Sequence, residues 1–157
     1  MKIFLFLFCL AALSCKNDHI WNEESNKVHV DVKSMLHNYY KDINEQGLLA
    51  ELKYLDSSAD FSWHPPGFEA PISYDTAAAI IRNNAIVISS AKLTWDSLTV
   101  IPVHRDTARY TGRITSIVLD TSGYRDTLFL EEEGIVIRRR DGWKLLSGKT
   151  RLIENIK

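Results

Sequence analysis

Gly134-Ile135-Val136-Ile137-Arg138-Arg139-Arg140-Asp141-Gly142-Trp143-Lys144-Leu145-Leu146 is the stretch of sequence that decides the fold. Two apolar runs flank Arg140-Asp141-Gly142, which has the composition of a three-residue hairpin loop with glycine in the left-handed position. The segment therefore predicts two antiparallel strands. Counting outward from that loop predicts the cross-strand pairs Arg139–Trp143, Ile137–Leu145, Ile135–Ser147, Glu133–Lys149 and Glu131–Arg151.

The two-residue hydrophobic period of this hairpin extends back to about Ala91. It predicts four strands over residues 92–103, 105–119, 124–139 and 143–153. The sequence Asp120-Thr121-Ser122-Gly123 is typical of a turn and joins the second of these strands to the third. We therefore expect a sheet of long antiparallel strands.

The sequence before residue 91 has helical spacing instead. Asp31 is a candidate N-cap for a first helix, and Gly47 ends its apolar stripe. That stripe consists of Val32, Met35, Leu36, Tyr39, Tyr40 and Ile43. There follow a short helix over 48–55, a strand over 60–64 stopped by Pro65, and a helix from Thr76 to about Asn84, capped by Ser73 or Asp75.

Helices that precede a run of antiparallel strands predict an α+β domain with the helices on one face of the sheet. A sheet of such long strands twists and curls, which gives it a concave side. The helices are too few to fill that side completely, so we expect a pocket between them and the sheet.

The first fifteen residues predict the location of the protein. Lys2 precedes an apolar run over residues 3–13, too short to span a bilayer, and a small residue before Cys15 resembles a lipoprotein cleavage site. We predict a signal peptide over 1–14, a lipidated Cys15 at the start of a flexible polar tether over 15–30, and a folded domain over 31–157. An ordinary secreted protein with a free thiol is the alternative.

Composition excludes several kinds of function. Removal of residues 1–14 leaves 18 basic and 20 acidic residues, so nucleic acid is not an expected partner. No cysteine follows Cys15, which excludes disulfides and thiolate chemistry in the folded part. The five histidines lack ligand spacing and no phosphate-binding loop occurs, so we predict neither a metal nor a cofactor.

The chain resembles the nuclear transport factor 2-like superfamily, in its SnoaL-like and ketosteroid-isomerase-like branch. Three segments carry the resemblance: the helical region 32–55, the segment 54–67 (YLDSSADFSWHPPG), and the hairpin 134–146. The resemblance implies a cone-shaped, cystatin-like roll with one pocket, and it implies no particular reaction. Lys16-Asn17-Asp18 is similar to the short charged signal of surface lipoproteins in Bacteroidetes.

The candidate ligand-binding residues are mostly aromatic. By the resemblance, the strand face that carries Phe61 and Trp63 looks toward the pocket. Tyr39 and Tyr40 share the inner side of the first helix, where one hydroxyl could enter a cavity. Each of these rings has a plain core role as its alternative. Trp95 is a further candidate, although the apolar residues of its strand are divided between both faces.

The candidate catalytic residues are Glu133, Asp96 and His64. Glu131-Glu132-Glu133 is unusual because acidic triplets are poor strand formers. The pairs of Glu133 with Lys149 and of Glu131 with Arg151 predict either surface ion pairs or the polar floor of a pocket, in which Lys149 would contact ligand. Asp96 is a candidate base if buried, and His64 a candidate proton carrier at the pocket rim.

We therefore expect a lipid-anchored module of the bacterial cell envelope, on the periplasmic or surface side of the outer membrane. Its domain would bind a small apolar ligand or a protein partner without catalysis. The alternative is an isomerase, cyclase or dehydratase that acts on a small carbonyl compound, with Tyr39 or Tyr40 as the oxyanion donor. A third expectation is a homodimer formed through the outer face of the sheet.

Overall fold

The computed structural model describes residues 11–153, with side chains from residue 22 onward. Most of the predicted signal peptide and the side chain of Cys15 lie outside this description. The elements in chain order are α1 (Ala11–Gln46), a 3₁₀ helix (Leu48–Lys53), β1 (Ser62–His64), α2 (Tyr74–Val87), β2 (Ile88–His104), β3 (Thr107–Asp120), β4 (Arg125–Arg139) and β5 (Gly142–Leu152).

The five strands form one curved sheet in the order β1-β5-β4-β3-β2. The four long strands are antiparallel to their neighbours, and the short β1 runs parallel to β5. The helices pack on the concave side, where α1 lies mainly along β2 and α2 contacts the 3₁₀ helix. The α+β prediction, with helices in the concave face of a mostly antiparallel sheet, is confirmed.

The first helix begins well before Asp31, so the prediction of its start was wrong. It continues through the segment 15–30, which was predicted to be a flexible tether. Val28 lies one turn before Val32 and is only 4% exposed, so the apolar stripe starts earlier than predicted. The polar residues before it include Glu and Lys, which are good helix formers and do not interrupt the helix. The helix ends where predicted, at Gly47, whose φ is +86°.

The core forms where the stripe of α1 meets the inner residues of the sheet. Val32, Leu36 and Ile43 on α1 are at most 2% exposed. Their counterparts on the sheet are Ala108, Ile114, Val136 and Leu145, which are equally buried. Full burial of one large apolar side chain contributes about 1.5–3 kcal/mol, or about 25 cal/mol per Å² of apolar surface. This packing holds α1 against the concave side of the sheet.

The register of the terminal hairpin shows two departures from prediction that cancel. The loop holds two residues, so that Arg139 pairs with Gly142 rather than with Trp143. A bulge between Ile135 and Val136 then absorbs one extra residue of β5. Beyond the bulge the predicted pairs are confirmed: Ile135–Ser147, Glu133–Lys149 and Glu131–Arg151.

A second bulge lies at Asp96 in β2, between the pairs Trp95–Ile114 and Ser97–Arg113. A bulge shifts the alternation of side chains by one residue. Trp95 before it and Leu98 after it therefore both face inward, which explains why neither face of this strand is uniformly apolar in the sequence.

No helix among the described residues combines the length and the hydropathy needed to cross a membrane.

Candidate ligand-binding site

A cavity of about 180 Å³ lies between the helices and the β1–β5 edge of the sheet. Its walls come from α1, the 3₁₀ helix, β1 with the loop after it, α2 and β5. Most of the lining is apolar, and the only carboxyl group that a described residue contributes to it belongs to Glu51. The lining residues are Tyr39, Glu51, Leu55, Phe61, Trp63, Pro65, Phe68, Ile72, Ala77, Ile80, Ile81, Asn84 and Leu145.

The 3₁₀ helix and α1 together position Glu51. Side chains three residues apart lie above one another in a 3₁₀ helix, so Glu51 shares the inner side with Leu48 and Tyr54. The hydroxyl of Tyr39 donates a hydrogen bond of 2.8 Å to Oε1 of Glu51. The other oxygen, Oε2, has no hydrogen-bond partner among the described residues. Every buried side-chain oxygen among the described residues has a hydrogen-bond partner. Because Oε2 of Glu51 has none, it must be accessible from the cavity.

Burial sets the ionisation of this pair. Burial raises the pKa of Glu51, and the hydrogen bond from Tyr39 lowers it only in part. The pKa of Tyr39 is well above its ordinary value, mainly through burial and then through the nearby Glu51 charge. Tyr39 therefore stays a hydrogen-bond donor. A ligand in the cavity can contact the Glu51 carboxyl group, and a charged ligand there would change its pKa.

A second carboxyl group, Glu132, is buried behind the cavity with only 6% exposure. Tyr110 donates to its Oε1 at 2.7 Å. Its Oε2 accepts from Thr150 at 3.3 Å and from Tyr40 at 3.5 Å. Burial raises the pKa of Glu132 to about 7, opposed by the hydrogen bond from Tyr110 and assisted by the charge of Glu51. The pKa of Glu132 is therefore near neutrality although its side chain is almost completely buried.

Trp63 connects the cavity wall to this buried network. Its Nε1 donates to Oγ1 of Thr150 at 3.2 Å, and Thr150 in turn donates to Glu132. The ring lies directly over Gly148, where an added Cβ would come within 2.6 Å of it. Gly148 is therefore needed for the close approach of the ring to the sheet, which holds one face of the indole against the cavity.

The structure brings three of the predicted ligand-binding residues, Tyr39, Phe61 and Trp63, into one cavity wall. Tyr40 and Trp95 do not line this cavity. Their rings stack on each other in the core with centroids 4.6 Å apart. Both polar ends have partners there, because Tyr40 donates to Glu132 and Nε1 of Trp95 donates to the carbonyl of Leu36 at 3.2 Å.

The structure corrects the interpretation of Glu133 and Lys149 as the floor of an internal pocket. Both lie on the convex face of the sheet, because Glu132 takes the inward position of the triplet. Glu133 is exposed there and pairs with Arg151 at 3.6 Å, as Glu131 does at 3.3 Å. The alternative of surface ion pairs is the one that the structure supports.

The other two catalytic candidates also lie outside the cavity wall. Asp96 sits in the bulge of β2, is exposed, and accepts a hydrogen bond of 2.8 Å from Thr115. His64 is at the end of β1, and its Nε2 donates to the carbonyl of Phe68 at 2.7 Å. Neither candidate lines the cavity that holds Glu51, so neither is placed to act as a proton carrier there.

Glu51 and Glu132, the two carboxyl groups at the site, were not among the predicted site residues. For Glu132 a signal existed, because two surface ion pairs at Glu131 and Glu133 require the middle residue to point the other way. For Glu51 the signal was the three-residue spacing with Leu48 and Tyr54. In the described part of the chain, no three acidic, histidine or cysteine side chains converge as metal ligands would.

The architecture defines a class: helices packed in the concave face of a curved sheet, with a cavity between them. The particular fold is that of the nuclear transport factor 2-like proteins, as comparison with solved structures shows. No protein-family model matches the sequence, and neither does any curated protein. The sequence identities to the similar structures are low, and the likeness is therefore one of fold.

Three solved structures illustrate that likeness. A nuclear transport factor 2-like superfamily protein from Salmonella enterica has a TM-score of 0.70 at 12% identity, over 84% of this chain and 95% of that one. A candidate dehydratase of the same family from Streptomyces avermitilis has 0.69 at 16% identity, over 82% and 99%. A hexachlorocyclohexane dehydrochlorinase from Novosphingobium barchaimii has 0.66 at 10% identity, over 85% and 91%.

Proposed function

We propose that this chain is a small-molecule-binding domain and that its ligand occupies the cavity beside Glu51. The observation that carries the proposal is an apolar cavity of about 180 Å³ with one unpartnered carboxyl oxygen in its wall. Ligand sites are typically apolar clefts with a few polar groups that fix orientation. An apolar cavity of about 150 Å³ is enough for benzene, so one ring with one or two substituent atoms fits here.

Binding is favoured over catalysis because the hydroxyl groups proposed as oxyanion donors already have partners. Tyr39 donates to Glu51 and Tyr40 donates to Glu132. Nε1 of Trp63 is likewise used by Thr150. A base without a donor for the charge that develops on the substrate lacks what is usually the largest catalytic contribution.

An NMR titration with benzyl alcohol tests the binding proposal. Ala77 on α2 lines the cavity, whereas Ala79 on the same helix is exposed. We expect saturable binding to the wild-type protein, loss of at least about tenfold in affinity for Ala77→Leu, and wild-type affinity for Ala79→Leu, since only the first substitution fills the cavity. Absence of saturable binding, or equal effects of the two substitutions, would contradict the proposal.

A second candidate function is proton-transfer catalysis on a small carbonyl compound. The observation that favours it is Glu51 itself, a carboxyl group with a raised pKa and an oxygen open to the cavity. Fold neighbours named as a dehydratase and a dehydrochlorinase are consistent with it. Cyclohex-3-enone, whose isomerisation creates a conjugated absorbance, tests it: turnover that Glu51→Gln abolishes would replace the binding proposal.

We further propose that lipid on Cys15 anchors the domain to the bacterial envelope. The support is the sequence of residues 1–15, with a short apolar run before a small residue and a cysteine. Mass spectrometry of the protein from membranes of an expressing bacterium should show an N-terminal, diacylated or triacylated Cys15. A Cys15→Ser variant should leave the membrane fraction, and an unmodified Cys15 would refute the anchor.

A homodimer through the convex face of the sheet completes the proposal. Ile101 and Val103 on β2 are each more than half exposed, which is consistent with an interface. Sedimentation velocity should show a dimer for residues 16–157 that Ile101→Glu converts to a monomer. A monomer for the unsubstituted protein would exclude the dimer.

A further inference from the structure

The charge of the cavity is one-sided. Among the residues whose side chains the structure describes, Glu51 is the only charged one in the lining, and no described lysine, arginine or histidine contributes to it. Glu51 also takes part in no ion pair within the described residues. Glu132 adds a second carboxyl group behind the wall, close enough for its pKa to respond to the charge of Glu51.

From this geometry we propose that the cavity selects a small protonated amine that carries one aromatic or cycloaliphatic ring. This inference deepens the proposed function and rests on it. The ammonium group would donate a hydrogen bond to Oε2 of Glu51, and the ring would occupy the apolar part of the cavity. An ion pair of this kind removes the cost of an uncompensated carboxylate in an apolar wall.

The hydrogen bonds at Glu51 fit an ammonium donor. Tyr39 donates to Oε1 of Glu51. The oxygen without a partner, Oε2, is an acceptor when the carboxyl group is ionised, so it requires a donor from the ligand. An ammonium group has three donors and no acceptor, whereas a carboxylate ligand would bring only acceptors. An anionic ligand would therefore meet like charge with no cation among the lining residues to balance it.

The aromatic rings of the wall favour the same class of ligand. Tyr39, Phe61 and Trp63 line the cavity together with Glu51. The faces of aromatic rings attract cations by about 0.5–2 kcal/mol, most strongly when water is excluded. A cavity that combines aromatic rings with one carboxylate attracts an ammonium group through both contributions at once. A neutral alcohol of equal size gains only the burial of its ring.

Three probes of matched shape and different charge test the proposal: benzylamine, benzyl alcohol and benzoate. All are titrated by NMR at pH 7.5 into the domain of residues 16–157. We expect benzylamine to bind about tenfold more tightly than benzyl alcohol, as one charge-assisted hydrogen bond would give. Benzoate should bind at least tenfold more weakly than benzyl alcohol.

A matched pair of variants assigns the selectivity to one side chain. Glu51→Gln keeps the size of the side chain and an acceptor for Tyr39 but removes the charge. We expect it to lose about tenfold in benzylamine affinity and to keep benzyl alcohol affinity within about threefold. Glu45→Gln, the same change at an exposed site near the end of α1, should keep the tenfold preference of the wild-type protein.

The outcomes separate this inference from the function on which it rests. If benzyl alcohol binds and benzylamine binds no more tightly, the amine proposal is wrong and the binding proposal stands. If none of the three probes binds, both are wrong. A benzylamine preference that survives Glu51→Gln would also overturn the inference, because the charge of Glu51 would not be its source.

Discussion

Glu132 makes the stability of this domain depend on pH in an unusual direction. Its side chain is buried among Tyr40, Tyr110 and Thr150, and burial raises its pKa from 4.5 to about 7. The folded state therefore holds the Glu132 proton at pH values where the unfolded chain has released it. The perturbation that exposes this effect is Glu132→Gln, which keeps the shape of the side chain and removes the titration.

The size of the effect follows from the two pKa values. One pKa unit corresponds to about 1.36 kcal/mol, so a shift from 4.5 to about 7 corresponds to about 3 kcal/mol. Because the folded state binds the proton more tightly, the contribution of Glu132 is fully present below pH 4.5. It is lost as the pH rises to about 7. The wild-type protein should thus become less stable as the pH rises from 4.5 to about 7, and the Gln variant should not show this loss.

Urea unfolding at pH 5, 6, 7 and 8 measures the difference. The free energy of unfolding of Glu132→Gln, relative to wild type, should increase by about 2–3 kcal/mol between pH 5 and pH 8. Glu133→Gln, on the same strand but exposed on the convex face, should follow the wild-type profile within about 0.5 kcal/mol. Parallel profiles for wild type and Glu132→Gln would refute the reasoning.

Two further predictions concern the walls of the cavity. Gly148→Ala should lower the free energy of unfolding by about 1–3 kcal/mol and weaken ligand binding, since the new methyl group would collide with Trp63; urea unfolding and the benzyl alcohol titration measure both, and an unchanged affinity would mean that Trp63 does not shape the site. Asp56→Asn should cost about 2–3 kcal/mol at pH 7, because burial of Asp56 is outweighed by hydrogen bonds from Arg139 and Ser58 that hold its pKa below the usual value. Asp126→Asn, at an exposed site, is its control in urea unfolding, and equal costs at the two sites would contradict this assignment.

The helices and long strands could be predicted from the sequence because each of them depends on a local pattern. Gly47 ends α1, Ser73 caps α2 by accepting from the backbone N–H of Thr76, and the two-residue period gives the long strands. Bulges have no such pattern. The bulge at Asp96 and the bulge beside Val136 depend on how neighbouring strands pack. Each moves the side chains that follow it to the face opposite to the one that strict alternation predicts.

The candidate site was accessible to sequence reasoning only in part. Alternation put Phe61 and Trp63 on one face of a short strand, and the resemblance to nuclear transport factor 2-like proteins implied that this face looks toward the pocket. Glu51 was not found, because its three-residue spacing with Leu48 and Tyr54 places it on their side only in a 3₁₀ helix, and the sequence was interpreted as a plain short helix over 48–55. Glu133 and Lys149 were paired correctly and still lie outside the cavity, because register alone does not say which face of a sheet the helices cover.

The central claim is that a ligand enters the cavity lined by Trp63, and the tryptophan indole resonances test it most directly. The chain has four tryptophans, and of the three whose side chains the structure describes, only Trp63 lines the cavity. With saturating benzylamine, the indole N–H resonance of Trp63 should shift the most. Those of Trp95 and Trp143, in the core, should shift little. A ligand that binds and shifts the other indoles while leaving Trp63 unchanged would place the binding site elsewhere and contradict the account.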